Sequence, residues 1–302
     1  MNSALPLISV VIPAYNRRDN VLMLLADVYR QEGVDFEVIV VDDCSPDDTV
    51  ASIQKNFPKT QVLRNSVNGG PAVSRNEGVR VARGEYIVGF DSDVTLPETD
   101  LLARVAKAFQ QHPNATGLAF RLLAADGKSD DRPRWWHAQP FEVGKNRPFQ
   151  TDNFSGTGYA FRRVEMIAAG LFPEILYMHF EEYELAFRIL DAGGSIRYCP
   201  DLPVVHHASP IAARGKIQKF YKPRNQILVA IGCYPLVRGC CYLIPRLVYN
   251  LLTAIRHGHL KEYFSALQSA WSLLPQRFRQ RKPLKRQTWQ RIASMRRVSL
   301  EN

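Results

Sequence analysis

Hydrophobic positions along the first third of the chain alternate between two periods. Leu7–Ile12 is a continuous apolar, β-branched run closed by Pro13, the pattern of a strand buried on both faces. Val21, Leu24, Leu25 and Val28 then repeat at helical spacing, with Asp19 placed to cap that helix. Phe36–Val41 is a second buried strand, ended by the polar turn Asp42–Asp48. A helix is predicted over 49–57, a short strand at Gln61–Arg64, and the turn Asn68-Gly69-Gly70-Pro71 leads into a helix over 72–82. Glu85–Phe90 is the next strand. Strands alternating with helices predict βαβ units and a parallel sheet covered on both faces, an α/β class.

Beyond Asp93 the alternation loosens. Leu101–Gln111 reads as a helix, Thr116–Leu123 as a strand, and 124–153 as a long polar stretch containing Trp135 and Trp136. Those two indoles can stack on a sugar ring or pack as core tryptophans. Helices follow over 164–169 and 182–192, and extended segments at 196–199 and 203–206. From Lys216 the chain is helical, basic and amphipathic. The expected division is 1–215, with halves meeting near residue 95, and a helical extension over 216–302. No secretory leader is expected, because Met1–Pro6 lacks a basic region. Ile227–Leu252 is interrupted by Arg238, Arg246, Pro235 and Pro245, so it is expected to lie at an interface or pack, not to span a bilayer.

Charge divides the chain in the same place. From His207 onward there are 18 Lys and Arg against two acids, a net +16, while the first 206 residues hold 21 basic and 27 acidic residues, a net −6. Such a basic end suits an anionic membrane surface; without a helix-turn-helix, zinc or RNA-binding signature, no nucleic-acid partner is expected. The five cysteines show no Cys-x-x-Cys spacing, which favours a reducing, cytoplasmic compartment.

The chemistry-bearing residues begin where Tyr86–Phe90 ends. Asp91 and Asp93 lie two residues apart, and in an extended segment both carboxylates reach one side. Paired oxygen ligands of this kind suit Mg2+ or Mn2+, which grips a diphosphate. Glu181, Glu182 and Glu184 crowd three carboxylates into four residues, so repulsion should raise at least one pKa toward a general base's range. The first strand is followed by Pro13-Ala14-Tyr15-Asn16-Arg17, not by the glycines of a dinucleotide site or a Walker lysine loop, which excludes nicotinamide, flavin and P-loop enzymes.

Four ordered strings resemble the family 2 glycosyltransferases of the GT-A fold: Ser9–Asn16, Glu37–Ser45, Gly70–Gly78 and Arg83–Asp93. The resemblance extends through Gly156 to Asn225. It implies a nucleotide-sugar site with Pro13, Tyr15, Asp43, Arg75, Asp91 and Ser92: Tyr15 stacked on a uracil or thymine base, Asp43 accepting the base's imide N–H, and Arg75 near the diphosphate. Asp42 has the competing reading of a turn or helix cap. A divalent ion (Mn2+ or Mg2+) would be held by Asp93 and by His206 or its neighbour His207, with Asp91 nearby. Glu182 occupies the position of the family's general base, with Glu in place of the commoner Asp. Gly156, Thr157, Gly158, Glu181, Trp135 and Trp136 would face donor sugar or acceptor, while Tyr221, Arg224 and Asn225 match the start of the family's C-terminal helices.

The expected activity is inverting hexosyl transfer from a UDP- or dTDP-sugar to a glycan or lipid-linked acceptor, in cell-surface polysaccharide assembly. A non-catalytic nucleotide-sugar-binding or scaffolding protein is the alternative. The expected location is the cytoplasmic side, peripheral on the inner face of the plasma membrane. The basic crowd Arg277, Arg279, Arg281, Lys282, Lys285 and Arg286, interleaved with Phe278, Leu284 and Trp289, is the expected membrane-facing segment.

Overall fold

The predicted alternation is realised in the computed structural model, which describes residues 7–207 and 211–297. The first half contains β1 (Ile8–Ala14), α1 (Arg18–Tyr29), β2 (Phe36–Asp42), α2 (Thr49–Asn56), β3 (Gln61–Arg64), α3 (Pro71–Val81), β4 (Tyr86–Phe90), β5 (Val94–Thr95) and α4 (Leu101–Gln111). Next come β6 (Gly117–Leu123), α5 (Phe141–Gly144), β7 (Phe149–Thr151), β8 (Gly158–Arg162), α6 (Arg163–Ala168), α7 (Glu181–Asp191) and β9 (Ile196–His206). Four helices close the chain: α8 (Ile211–Cys233), α9 (Leu236–Arg256), α10 (Leu260–Arg279) and α11 (Arg286–Arg297).

The sheet runs β3-β2-β1-β4-β8-β6-β9-β5, with β7 on β9. Its first four strands are parallel, and every residue of β1 and β4 is buried, as continuous apolar runs require. Beyond β4 the sheet is mixed, because β8 is antiparallel to both neighbours. The two extended segments expected at 196–206 are one strand whose register against β6 shifts after Cys199. Asp19 lies inside the first turn of α1 instead of capping it. The polar stretch 124–153 is not structureless: it holds a 3₁₀ turn at Arg132–Arg134, α5 and β7.

The C-terminal helices share a core with the α/β part. Leu176, Phe187 and Leu190 pack with Leu228, Val229, Tyr234, Leu284, Trp289 and Ile292. The basic crowd is only partly withdrawn from the surface: Arg277 is buried and Arg281 half-buried, whereas Arg279, Lys282, Lys285, Arg286 and the interleaved Phe278 are exposed. Arg277 is fully buried and donates to both oxygens of Glu184, its Nη1 at 3.1 Å, and to the Leu228 carbonyl. Arg281 donates to the carbonyls of Ile231 and Tyr234, and Lys285 to that of Asp191. Apolar neighbours outcompete the membrane for Leu284 and Trp289. Arg277→Met should leave Glu184 with a buried charge held only by Arg188, destabilising the fold by about 3–5 kcal/mol in denaturant unfolding. Among the described residues, no helix is long and apolar enough to cross a membrane.

Candidate active site

The site forms at the carboxyl ends of the parallel strands, where open α/β sheets bind ligands. Pro13 is buried near the end of β1, and Tyr15, just beyond it, is 47% exposed, free to present a ring to a base. Asp43 is buried. It accepts from the Asn65 amide at 2.8 Å and from the backbone N–H groups of Gly69 and Gly70 at 2.9 and 2.7 Å. Its first task is to hold the turn entering α3, though a carboxylate has capacity for one further donor. Asp42 takes the turn role, accepting from the Ser45 N–H at 3.0 Å.

The two aspartates after β4 are separated. The chain turns at Ser92, half-buried between them, so that β5 can pair antiparallel with β9, Val94 opposite His206. That turn breaks the extended geometry expected of Asp91-Ser92-Asp93, and the carboxylates meet different partners. Asp93 lies 3.6 Å from His206 Nε2 and 3.8 Å from Arg17 Nη1. Asp91 accepts from Arg75 at 2.6 Å and from the Thr157 hydroxyl at 3.3 Å.

The strand pairing also separates the histidine doublet. His206 is buried, with Nδ1 3.0 Å from Asp131 Oδ2, while His207 Nε2 lies 2.7 Å from the Thr95 hydroxyl and its N–H bonds to the Asp93 carbonyl. Asp131 is fixed in turn by Arg134 at 2.8 and 2.9 Å. Asp131 lies behind one imidazole nitrogen and Asp93 before the other, and a carboxylate so placed is found behind metal-bound histidines. Among the described residues no three His, Cys, Asp or Glu side chains form a ready-made metal cage. Two protein donors with open positions nonetheless fit an ion completed by substrate phosphates and water, as Mg2+-type sites are. Asp93 and His206 are the residues that would hold it. Asp131→Asn should weaken Mn2+ binding about 10–100-fold in a paramagnetic-resonance titration without altering the unfolding temperature appreciably.

Arg75 gathers the acids. Its guanidinium is buried over the Phe172 ring and bonds Asp91 and Glu181 at 2.6 and 3.1 Å, with Glu182 at 4.0 Å. It therefore lies among the carboxylates. Burial opposes its charge, but Asp91, Glu182 and Glu181 more than compensate and raise its pKa. Burial, then repulsion from Glu182, pushes the Glu181 carboxyl well above the ordinary range. Glu182 is only half-buried and accepts from the Gly156 N–H at 3.2 Å. A Cβ on Gly156 would collide with the Arg75 guanidinium, which explains the glycine. Gly158 begins β8.

The segment before Glu181 is strained: Tyr177, His179 and Phe180 all have positive φ, at 63°, 66° and 72°. Asn225 restrains it, its amide donating to the carbonyls of Leu176, Met178 and His179 at 2.7–2.9 Å. Arg224 adds bonds to the carbonyls of Ile175 and Leu176. Tyr221 stacks on Tyr177 at 5.2 Å.

The tryptophan pair splits. Trp135 packs against His137, Phe141 and Tyr198 and donates to the Gln139 carbonyl at 2.6 Å, whereas Trp136 is 63% exposed. Of the two, Trp136 is the one available to a sugar.

The sequence profile described as "Glycosyl transferase family 2" matches residues 9–171, more than half of the chain. The chain belongs to glycosyl transferase family 2. Within that family it is 37% identical over 125 residues to "Succinoglycan biosynthesis protein ExoO" of Rhizobium meliloti, a match covering 41% of this chain and 36% of that protein. Matches to three curated relatives, that protein among them, each span about a third of the relative's length. Its fold is shared with Staphylococcus aureus TarS 1-349 in complex with UDP-GlcNAc (TM-score 0.62, 18% identity, 87% of this chain and 80% of that one). It is shared equally with the mannosyltransferase PcManGT of Pyrobaculum calidifontis, in complex with GDP-Man and Mn2+ (TM-score 0.60, 20% identity, 99% and 87%).

Sequence reasoning missed Asp131, Arg134 and Arg17. Asp131 and Arg134 lie in the polar stretch with no periodicity to mark them, and only β9 pairing beside β5 and β6 brings that stretch to His206. Arg17 stood inside the quoted string after β1 without a partner to suggest its role.

Proposed function

We propose that the protein is an inverting, metal-dependent glycosyltransferase that moves a sugar from a nucleotide diphosphate to an acceptor hydroxyl. The observation that carries this reading is the cluster at the strand ends: Glu182, Glu181 and Asp91 around Arg75, next to the Asp93–His206 pair. Family membership and the shared fold support it.

Glu182 accepts the proton of the acceptor hydroxyl. The oxygen then bonds to the anomeric carbon from the face opposite the diphosphate, whose C–O bond breaks, and the configuration inverts. Asp93 and His206 would hold a divalent ion, which would neutralise charge developing on the departing diphosphate. Arg75 and the Gly156 N–H hold the acids in register, and Tyr15 and Asp43 receive the base, which favours a UDP- or dTDP-sugar. Trp136 and the Gly156–Gly158 loop face donor sugar or acceptor. The acceptor is a glycan or lipid-linked sugar, and the setting is cell-surface polysaccharide assembly at the inner face of the membrane; the succinoglycan relative and the basic C-terminal part support that setting.

A panel of nucleotide sugars with Mn2+ tests the reading through thermal shift and nucleoside diphosphate release. One donor class should both raise the unfolding temperature and be consumed. Stabilisation by a donor that is never consumed, with any acceptor offered, would favour a non-catalytic binding protein.

A further inference from the structure

Residues 217–278 carry twelve of the nineteen exposed large hydrophobic side chains among the described residues. Single exposed apolar residues are ordinary, but a concentration of them marks an interaction surface. On α9 they are ordered: Ile244, Val248 and Leu252 follow at four-residue intervals, 51–60% exposed, and Val237 and Ile255 continue the stripe in both directions. The opposite face anchors the helix. Asn250 and Ala254 are buried, Asn250 bonds Gln226 at 2.7 Å, and the Leu247 carbonyl accepts from the Tyr263 hydroxyl. On α10, Phe264, Trp271 and Phe278 are also exposed, Trp271 at 76%.

Charge identifies the occupant. α9 has no acidic residue, and its Arg238, Arg246 and Arg256 are all exposed. A second copy docked on this face would bring two strongly basic C-terminal parts together, which like-charge repulsion disfavours. An anionic bilayer is complementary to both the apolar stripe and its basic flanks, the combination that holds amphipathic helices in the interfacial plane.

We infer that α9 seats its Val237–Ile255 stripe in the headgroup boundary of an anionic lipid bilayer, with Arg238 and Arg256 on lipid phosphates and the chain lying on the membrane. This rests on the proposed membrane-side setting but not on the proposed chemistry, and it places the contact on α9, since Arg277 and Leu284 of the 277–286 segment are buried. The attachment is rigid: α10, packed on α8 and α9, also carries Arg277, whose bond to Glu184 reaches the helix that begins with Glu181 and Glu182. Docking therefore orients the active site toward acceptors that emerge from the lipid.

Sedimentation of the full chain with phosphatidylcholine vesicles, with and without phosphatidylglycerol, tests the inference. The wild type should bind the anionic vesicles preferentially, and less so at high salt. The variant Ile244→Glu/Val248→Glu/Leu252→Glu, altered only at exposed positions, should lose at least about tenfold in binding with an unchanged unfolding temperature. Arg238→Gln/Arg256→Gln should remove the preference for the anionic lipid. Equal binding of wild type and the triple variant, no binding by either, or a dimer in sedimentation velocity that the triple variant dissolves would each overturn it. Nucleoside diphosphate release, measured in parallel, separates the two readings: turnover without vesicle binding defeats only the docking, and vesicle binding without turnover defeats only the chemistry.

Discussion

Glu182→Gln is expected to lower sugar transfer by ~10²–10⁴-fold while nucleotide-sugar affinity persists. The substitution is nearly isosteric, and the amide oxygen can still accept from the Gly156 N–H, so the loop at Gly156–Gly158 keeps its place. What is lost is the capacity to take up a proton. Glu181→Gln should behave differently. Glu181 is buried against Arg75, and the proposed reaction asks it to take no proton, so transfer should fall far less. Steady-state kinetics on both variants decide the assignment: a dead Glu181→Gln beside an active Glu182→Gln would move the base by one residue.

The second large effect is expected at Asp93. Asp93→Asn should reduce transfer and donor hydrolysis by about 10²–10³-fold or more, the scale of removing a contact that stabilises developing charge. EDTA should do the same to the wild type, reversibly on adding Mn2+. An exposed ligand could be replaced by alanine without disturbing the fold. Asp93 is instead buried between His206 and Arg17, so the near-isosteric amide is the cleaner variant. Full activity of both the EDTA-treated enzyme and Asp93→Asn would remove the metal from the account.

The elements that were legible in the sequence are those governed by local periodicity. β1, β2 and β4 are continuous apolar runs, and α1 buries Val21, Leu24, Leu25 and Val28, the residues its helical spacing selected. The site was legible only as ordered strings; its geometry depended on non-local pairing. Asp91 and Asp93 diverge because β5 must pair with β9, and no spacing in the tripeptide announces a partner more than a hundred residues away. Asp131 is hidden for the same reason. In the C-terminal part, charge pattern alone misled: Arg277 and Trp289 read as membrane-facing because their partners, Glu184 and Phe187, lie on a helix about ninety residues earlier. The exposed stripe of α9 falls at helical spacing, but which face turns outward required the packing.

The central claim is a single displacement at the anomeric carbon with Glu182 as base, and proton NMR of the first-formed product tests it most directly. With an α-configured nucleotide sugar and Mn2+, the account predicts that the β-anomer appears first and that its formation collapses in Glu182→Gln. An α-anomer formed first, or undiminished product from Glu182→Gln, would contradict it.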